Sequence, residues 1–207
     1  EGTYECLLVS PYQLRDRCIQ LIDREIAKGD RGYIFLKLNS ITDRKLIDKL
    51  AQASQAGVEI DMNVRGICCI IPGIPGLTEH IQVFSIVGRY LEHSRIYQFG
   101  RGEDADLYIS SADFMTRNTE RRVEVAAPVY DPDIQAQIHN VMDAAKSDNV
   151  KARILCADGE YIKKPFTGTA VDSQQLLMQQ AQQQATTPSE LPQKEGFFSR
   201  LRHRIFK

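Results

Sequence analysis

The stretch YLEHSRIYQFG, residues 90–100, alternates polar residues with bulky apolar ones, a pattern typical of a β-strand. If the stretch is extended, His93, Arg95, Tyr97 and Phe99 share one face, because successive side chains point to opposite faces. A titratable imidazole and a permanent cation would then project side by side. Such a pair could donate a proton and bind an anionic oxygen at the same place.

Other polar side chains collect where predicted strands end. Lys37 and Asn39 close one strand, and Arg65 follows the next strand immediately before Gly66, a residue that lets other backbone approach closely. A later run adds further polar residues: Ser110, Ser111, Asp113, Arg117, Asn118, Arg121 and Arg122. Open α/β sheets bind ligands where strands end, and several cations with hydroxyls and one histidine suit a phosphate-rich anion.

Each of these residues also has an ordinary structural interpretation. An arginine after a strand is most often a surface ion-pair partner, and a histidine in a strand most often has only structural contacts. Asp113 follows two serines and is predicted to be a helix N-cap. Arg121 and Arg122 would point to opposite faces of an extended segment, so at most one of them should reach a common site.

The elements that must position these side chains begin with a predicted helix. Ser10 as N-cap, Pro11 at N1 and Gln13 at N3 form a capping box, and apolar residues then recur at helical spacing up to Gly29. YIFLKLNS predicts a strand, residues 43–56 an amphipathic helix, and VEIDMNV a second strand. Strand, helix and strand with short connections predict a βαβ unit and an α/β fold.

The rest of the chain divides into three kinds of sequence. RGICCIIPGIPGLTEH is too interrupted by glycine and proline for a regular element, whereas IQVFSIV, SRIYQFG, ADLYISS and RRVEVAAPVY predict strands and DPDIQAQIHNVMDAAKSD a helix. We therefore predict one folded domain over residues 1–166. Residues 167–195 form a disordered linker rich in glutamine with two prolines, and residues 196–207 a basic amphipathic helix. That helix could contact a membrane or a partner, or could be a frayed, solvated terminus.

Composition excludes several classes of protein. With 207 residues, 43% of them hydrophobic, the chain is typical of a soluble globular protein, and 26 Lys and Arg against 27 Asp and Glu create no overall field for nucleic acid. Five cysteines without metal-site spacing favour reduced thiols and a cytoplasmic protein. No stretch approaches the roughly 20 apolar residues of a spanning helix. We expect no signal peptide, and the initial Glu rather than Met suggests a processed chain or a piece of a longer one.

The motifs VRGICC, GRYLEHSRIY and ISSADFMTRN resemble the C-terminal part of bacterial polyphosphate kinase. That ATP-dependent enzyme builds inorganic polyphosphate reversibly, and the resemblance covers residues 5–165. In that family two domains that resemble phospholipase D each supply one histidine to a shared active site. The chain resembles the second of them, which implies a mixed sheet flanked by helices.

The resemblance also implies which residues bind substrate. Arg65 and His93 match residues that bind ATP and phosphate, and His93 matches the one that faces the transferred group. The phosphorylated histidine, the arginines linked to Mg²⁺ and the aromatic residue that stacks on adenine belong to the preceding domain. The resemblance therefore implies ATP or ADP and polyphosphate as substrates, and Mg²⁺ as a cofactor held elsewhere. It also implies the preceding domains of the same enzyme as partners, together with a homo-oligomer.

The phospholipase D pattern itself is altered. That pattern is H-x-K-x₄-D followed by G-S-x-N; here Arg95 replaces the lysine, Gly100 stands where the aspartate would be, and residues 110–113 read SSAD. Without that carboxylate, His93 loses an orienting partner, which weakens the case for phosphodiester hydrolysis.

We therefore expect the second catalytic domain of a polyphosphate kinase, inactive alone, which acts through a phosphohistidine of the preceding domain. Lys37, Asn39, Arg117 and Arg122 are weaker candidates for lining a polyphosphate path. Two alternatives remain. One is a phospholipase D-like phosphodiesterase with His93 as nucleophile in a homodimer of half-sites. The other is a non-catalytic domain that binds polyphosphate or serves assembly. Independently of these alternatives, we expect a cytoplasmic protein, in which residues 196–207 could contact the inner face of the membrane.

Overall fold

The computed structural model describes residues 6–166 and 168–186. Its strands are β1 (Leu8–Ser10), β2 (Tyr33–Leu38), β3 (Glu59–Val64), β4 (Ile81–Ser85), β5 (Arg95–Phe99), β6 (Asp106–Ser110), β7 (Glu124–Pro128), β8 (Arg153–Leu155) and β9 (Tyr161–Lys163). Its α-helices are α1 (Leu14–Ile26), α2 (Arg44–Gln55), α3 (Thr116–Glu120), α4 (Pro132–Ser147) and α5 (Ser173–Thr186).

All nine strands of the described residues form one mixed sheet, in the order β1-β7-β6-β5-β2-β3-β4-β8-β9. β2, β3 and β4 are parallel, whereas β5, β6 and β7 continue the sheet beyond β2 as antiparallel strands. The predicted βαβ unit is therefore confirmed as β2, α2 and β3. The prediction of an α/β fold with a mixed sheet flanked by helices is confirmed with it.

Helices cover both faces of the sheet because its central strands are apolar on both. In β2, Ile34 and Leu36 pack in the core cluster that contains the buried side chains of α1 and α2. Phe35 points to the other face and packs in the cluster that contains Met142 of α4. This alternation along a fully buried strand is what a sheet between two helical layers requires.

The predicted capping box at the start of α1 is wrong. Ser10 is the last residue of β1 and pairs with Glu124 of β7, and its hydroxyl donates a hydrogen bond to the carbonyl oxygen of Asn118. α1 accordingly begins later, at Leu14. A short edge strand that is held by pairing with a distant strand leaves little local signal in the sequence, since its partner lies more than 100 residues away.

The glutamine-rich segment is helical where we predicted disorder. Residues 173–186, which lie inside the predicted linker of 167–195, form α5, and Gln180 accepts a hydrogen bond from Asn140 of α4. Glutamine is a good helix former, and packing against α4 supplies the stabilisation that composition alone does not predict. Residues 187–195 of that linker and the basic helix predicted at 196–207 lie outside the described residues.

Candidate functional site

One edge of the sheet gathers the polar residues singled out from the sequence. β2 and β3 are parallel, so their carboxyl ends meet there, and β5 is antiparallel to β2, so its first residue lies at the same edge. β6 runs antiparallel to β5 and ends there too. We call this the site edge. It contains the residues that follow β2, β3 and β6 and those that precede β5, as expected where the strands of an open α/β sheet end.

Arg65 and His93 meet at the site edge. The Nη2 atom of Arg65 lies 3.4 Å from Nδ1 of His93, and Nε of the same guanidinium donates to the carbonyl oxygen of Glu92 at 2.6 Å. Because a guanidinium only donates, a hydrogen bond at this contact requires Nδ1 of His93 to accept, which places the proton of a neutral ring on Nε2. The imidazole is exposed and the guanidinium half-buried, so both can reach a ligand.

An ion pair between a buried lysine and a half-buried glutamate lies next to this contact. Nζ of Lys37, which is 4% exposed, lies 2.8 Å from a carboxylate oxygen of Glu92. The other carboxylate oxygen of Glu92 accepts a hydrogen bond from the side-chain amide of Gln174 at 2.8 Å. Burial alone would raise the pKa of Glu92, but hydrogen bonds from Lys37 and Gln174 outweigh it and hold the pKa below its ordinary value. Glu92 is therefore ionised at neutral pH.

Asp113 organises the opposite side of the site edge. Its buried carboxylate accepts hydrogen bonds from the backbone amides of Asn39 and Ser40 at 2.6 and 3.2 Å, and it pairs with Arg95 at 3.0 Å. The prediction that Asp113 caps a helix is wrong, because the N-cap of α3 is Met115. Asp113 instead ties the segment after β2 to the segment after β6.

The predicted pairing of His93 with Arg95 on one strand face is also corrected. β5 begins at Arg95, so His93 precedes the strand and the two-residue alternation does not extend to it. The guanidinium of Arg95 turns to Asp113 and donates to the carbonyl oxygen of His93 at 2.7 Å. The cation beside the imidazole is therefore Arg65, which lies 28 residues earlier.

The weaker candidates divide into two groups. Lys37 and Asn39 are buried at the site edge and bonded to Glu92 and Asp113. Arg117 and Arg122 are exposed on or just after α3, and neither forms an ion pair within the described residues. Sequence reasoning missed the roles of Glu92 and Gln174. The one available signal was that Glu92 directly precedes His93.

The described residues do not fit a site for Mg²⁺. That ion takes oxygen ligands, chiefly carboxylates, phosphates and water. Within residues 6–166 and 168–186, no group of three or more His, Cys, Asp or Glu side chains is placed to hold a metal ion. The carboxylates of Glu92 and Asp113 are each paired with a cation already.

None of the helices within the described ranges combines the length and apolar character that crossing a membrane requires.

The site edge offers an exposed imidazole beside a guanidinium, and neighbouring ion pairs support both groups. Such an arrangement can bind an anionic oxygen through hydrogen bonds from the guanidinium and from Nε2 of the imidazole.

Known proteins resemble this chain in sequence and in fold. Polyphosphate kinase of Staphylococcus epidermidis is 49% identical over 181 residues, which cover 86% of this chain and 25% of that protein. A crystal structure of polyphosphate kinase from Porphyromonas gingivalis matches with a TM-score of 0.82 at 38% identity, over 89% of this chain and 29% of that one. The chain thus spans between a quarter and a third of the length of these relatives.

Nuc, a phospholipase D family member from Salmonella typhimurium, shares the fold with a TM-score of 0.52 at 14% identity, over 72% of this chain and 96% of that one. The predicted phospholipase D-like fold is thereby confirmed, although so low an identity says nothing about activity. A family model described as polyphosphate kinase C-terminal domain 2 matches residues 7–175. That match covers most of the chain and agrees with the relatives in sequence and structure, so the chain belongs to the polyphosphate kinase C-terminal domain 2 family.

Proposed function

We propose that this chain is the second catalytic domain of a polyphosphate kinase, which reversibly transfers the terminal phosphate of ATP to inorganic polyphosphate. The transfer passes through a phosphohistidine of the preceding domain, which lies in the part of the relatives' length that this chain does not span. The chain alone is therefore inactive. ATP, ADP and polyphosphate are its ligands, and the preceding domains of the same enzyme are its partners.

The contact between Arg65 and His93 is the observation that supports this proposal best. Phosphoryl transfer asks the protein mainly for positioning and for neutralisation of the charge on the phosphate oxygens. Arg65 binds nonbridging oxygens with the guanidinium edge that Glu92 leaves free. The imidazole of His93 faces the transferred group, where its outward nitrogen, Nε2, donates a hydrogen bond to the phosphoryl oxygen.

Four further residues take part in the proposed site. Lys37 and Asn39 support the site edge from within, and Arg117 and Arg122 give the incoming polyphosphate an exposed cationic approach.

The Mg²⁺ ion belongs to the preceding domain. Residues 1–166 form the catalytic domain, to which α5 of the glutamine-rich segment is attached, and residues 196–207 a separate basic helix. The enzyme is cytoplasmic and homo-oligomeric, with a peripheral membrane contact through that helix.

The test uses the complete enzyme with Arg65→Ala and His93→Ala, and transfer from γ-labelled ATP to polyphosphate as the readout. A charge-assisted hydrogen bond contributes about 1.5–3 kcal/mol, so each variant should transfer phosphate about ten- to a hundredfold more slowly. Matched controls are Arg31→Ala and His80→Ala. Both side chains are exposed near the amino ends of β2 and β4, at the opposite edge of the sheet. These controls should retain full activity.

Full activity in Arg65→Ala or His93→Ala would remove that residue from the site. The isolated chain supplies a second arm, because it should bind polyphosphate without taking up label from ATP. Acid-labile label on the isolated chain that His93→Ala abolishes would make His93 itself the nucleophile. Cleavage of a phosphodiester by the isolated chain without ATP would instead favour the phosphodiesterase alternative.

A further inference from the structure

Residues 86–94, between β4 and β5, carry His93 but belong to no strand or helix. Backbone pairing therefore does not hold this segment in place, and side-chain contacts must do so. From the sheet, Lys37 pairs with Glu92, and Arg65 donates to the carbonyl oxygen of Glu92. We call residues 86–94 the histidine segment.

Gln174 of α5 holds the same segment from the other side. Its amide oxygen accepts from the backbone amide of Tyr90 at 2.9 Å, and its amide nitrogen donates to the carbonyl oxygen of Tyr90 at 2.9 Å. The side-chain amide thus pairs with both polar backbone groups of one residue, as a neighbouring strand would. The same nitrogen also donates to the carboxylate of Glu92 at 2.8 Å. Gln174 is only 8% exposed.

The fit around Gln174 is close. A Cβ atom on Gly88 would lie 2.5 Å from the Gln174 amide oxygen, so a side chain at position 88 would displace that oxygen from its hydrogen bond with the Tyr90 amide. One turn further along α5, Met178 accepts a hydrogen bond from the hydroxyl of Tyr90 through its sulfur at 3.2 Å. Two successive turns of α5 therefore contact the histidine segment.

The start of α5 is itself fixed to the body of the domain. The carboxylate of Asp148, which is fully buried, accepts hydrogen bonds from the backbone amide and the hydroxyl of Ser173 at 2.9 and 2.7 Å. The same carboxylate also accepts from three backbone amides just before β8. Gln174, the next residue, is therefore presented to the histidine segment from a rigid anchor rather than from a loose arm.

We infer that Gln174 is a positioning residue, which holds Glu92 and thereby His93 at the place where the phosphoryl group is transferred. This inference rests on the proposed function. In this arrangement the glutamine-rich segment is part of the active-site architecture. Phosphoryl transfer is sensitive to misplacement of its charged groups, so loss of the Gln174 bonds should slow the chemical step more than it weakens substrate binding.

The test compares Gln174→Met with Gln175→Met in the complete enzyme. Methionine keeps the length of the side chain but removes the amide, whereas Gln175 is exposed and carries no such contact to the histidine segment. We expect Gln174→Met to lower kcat about tenfold, with KM for ATP changed less than twofold. Hydrogen exchange at the Tyr90 amide should accelerate in Gln174→Met alone.

A double-mutant cycle with His93→Ala separates positioning from general stability. If Gln174 acts through His93, adding Gln174→Met to His93→Ala should lower the remaining rate less than twofold. Independent, multiplicative losses would overturn the inference, and so would an unchanged kcat in Gln174→Met when His93→Ala has slowed transfer. An unchanged rate in His93→Ala would instead remove His93 from the site, a failure of the role that the proposed function gives that residue. The two failures are therefore distinguishable.

Discussion

Replacement of Lys37 by methionine tests its partly buried ion pair with Glu92, next to Arg65 and His93. The Lys37 side chain is 5% exposed and that of Glu92 is 26% exposed, at a separation of 2.8 Å. Removal of one partner from a fully buried pair costs about 3–5 kcal/mol, because the other charge is left without compensation. Two effects reduce this cost, because water can solvate part of the Glu92 carboxylate and methionine carries no charge to desolvate. We therefore expect the free energy of unfolding to fall by about 2 kcal/mol, less than for a fully buried pair.

The loss should depend on pH in a defined direction. The pKa of Glu92 in the folded chain lies below its ordinary value of 4.5. A lowered pKa means that the stabilisation is fully present above that ordinary value and is lost as the pH falls through the folded-state pKa. Lys37→Met and the wild type should therefore differ most at neutral pH, and the difference should shrink as the pH falls below 4.5 and through the lowered pKa of Glu92.

Urea unfolding of the chain at a series of pH values measures this difference. The matched control is Lys49→Met, since Lys49 pairs with Asp23 at 2.9 Å on a more exposed surface, where an ion pair contributes about 0–1 kcal/mol. Adding Glu92→Gln to Lys37→Met should recover part of the loss, because the uncompensated charge is removed. Equal stability of Lys37→Met and the wild type at neutral pH, or a loss that persists undiminished in acid, would refute this account.

Two further predictions concern other buried groups. Asp148→Ala should lower the free energy of unfolding by about 2–3 kcal/mol in urea, because five hydrogen bonds to its carboxylate are lost. Burial alone would raise the pKa of Asp148, but the bonds from Ser173 and nearby backbone amides hold it below 3.8, so this stabilisation should disappear only in stronger acid. Burial raises the pKa of Cys18 to about 12, so mass spectrometry after brief alkylation of the folded chain at neutral pH should find Cys69 modified and Cys18 unmodified.

The sequence by itself determined the elements that local periodicity encodes. The βαβ unit of β2, α2 and β3 follows from short apolar runs on either side of an amphipathic helix, and the structure reproduces it. The sequence also identified Arg65 and His93, through a motif resemblance rather than through periodicity. Their roles in phosphate binding stay predictions, while their contact is a feature of the structure.

Only the tertiary structure decided which charges meet at the site edge. Because β5 begins at Arg95, His93 does not share a strand face with that residue. Arg95 pairs instead with Asp113, which follows β6. Gln174 reaches Glu92 across 82 positions of the chain. Periodicity reports neighbours within one element, whereas contacts of this kind depend on strand order, register and helix anchoring, which no local window of sequence contains. The glutamine-rich segment illustrates the difference, since its composition favours disorder and its packing against α4 makes it a helix.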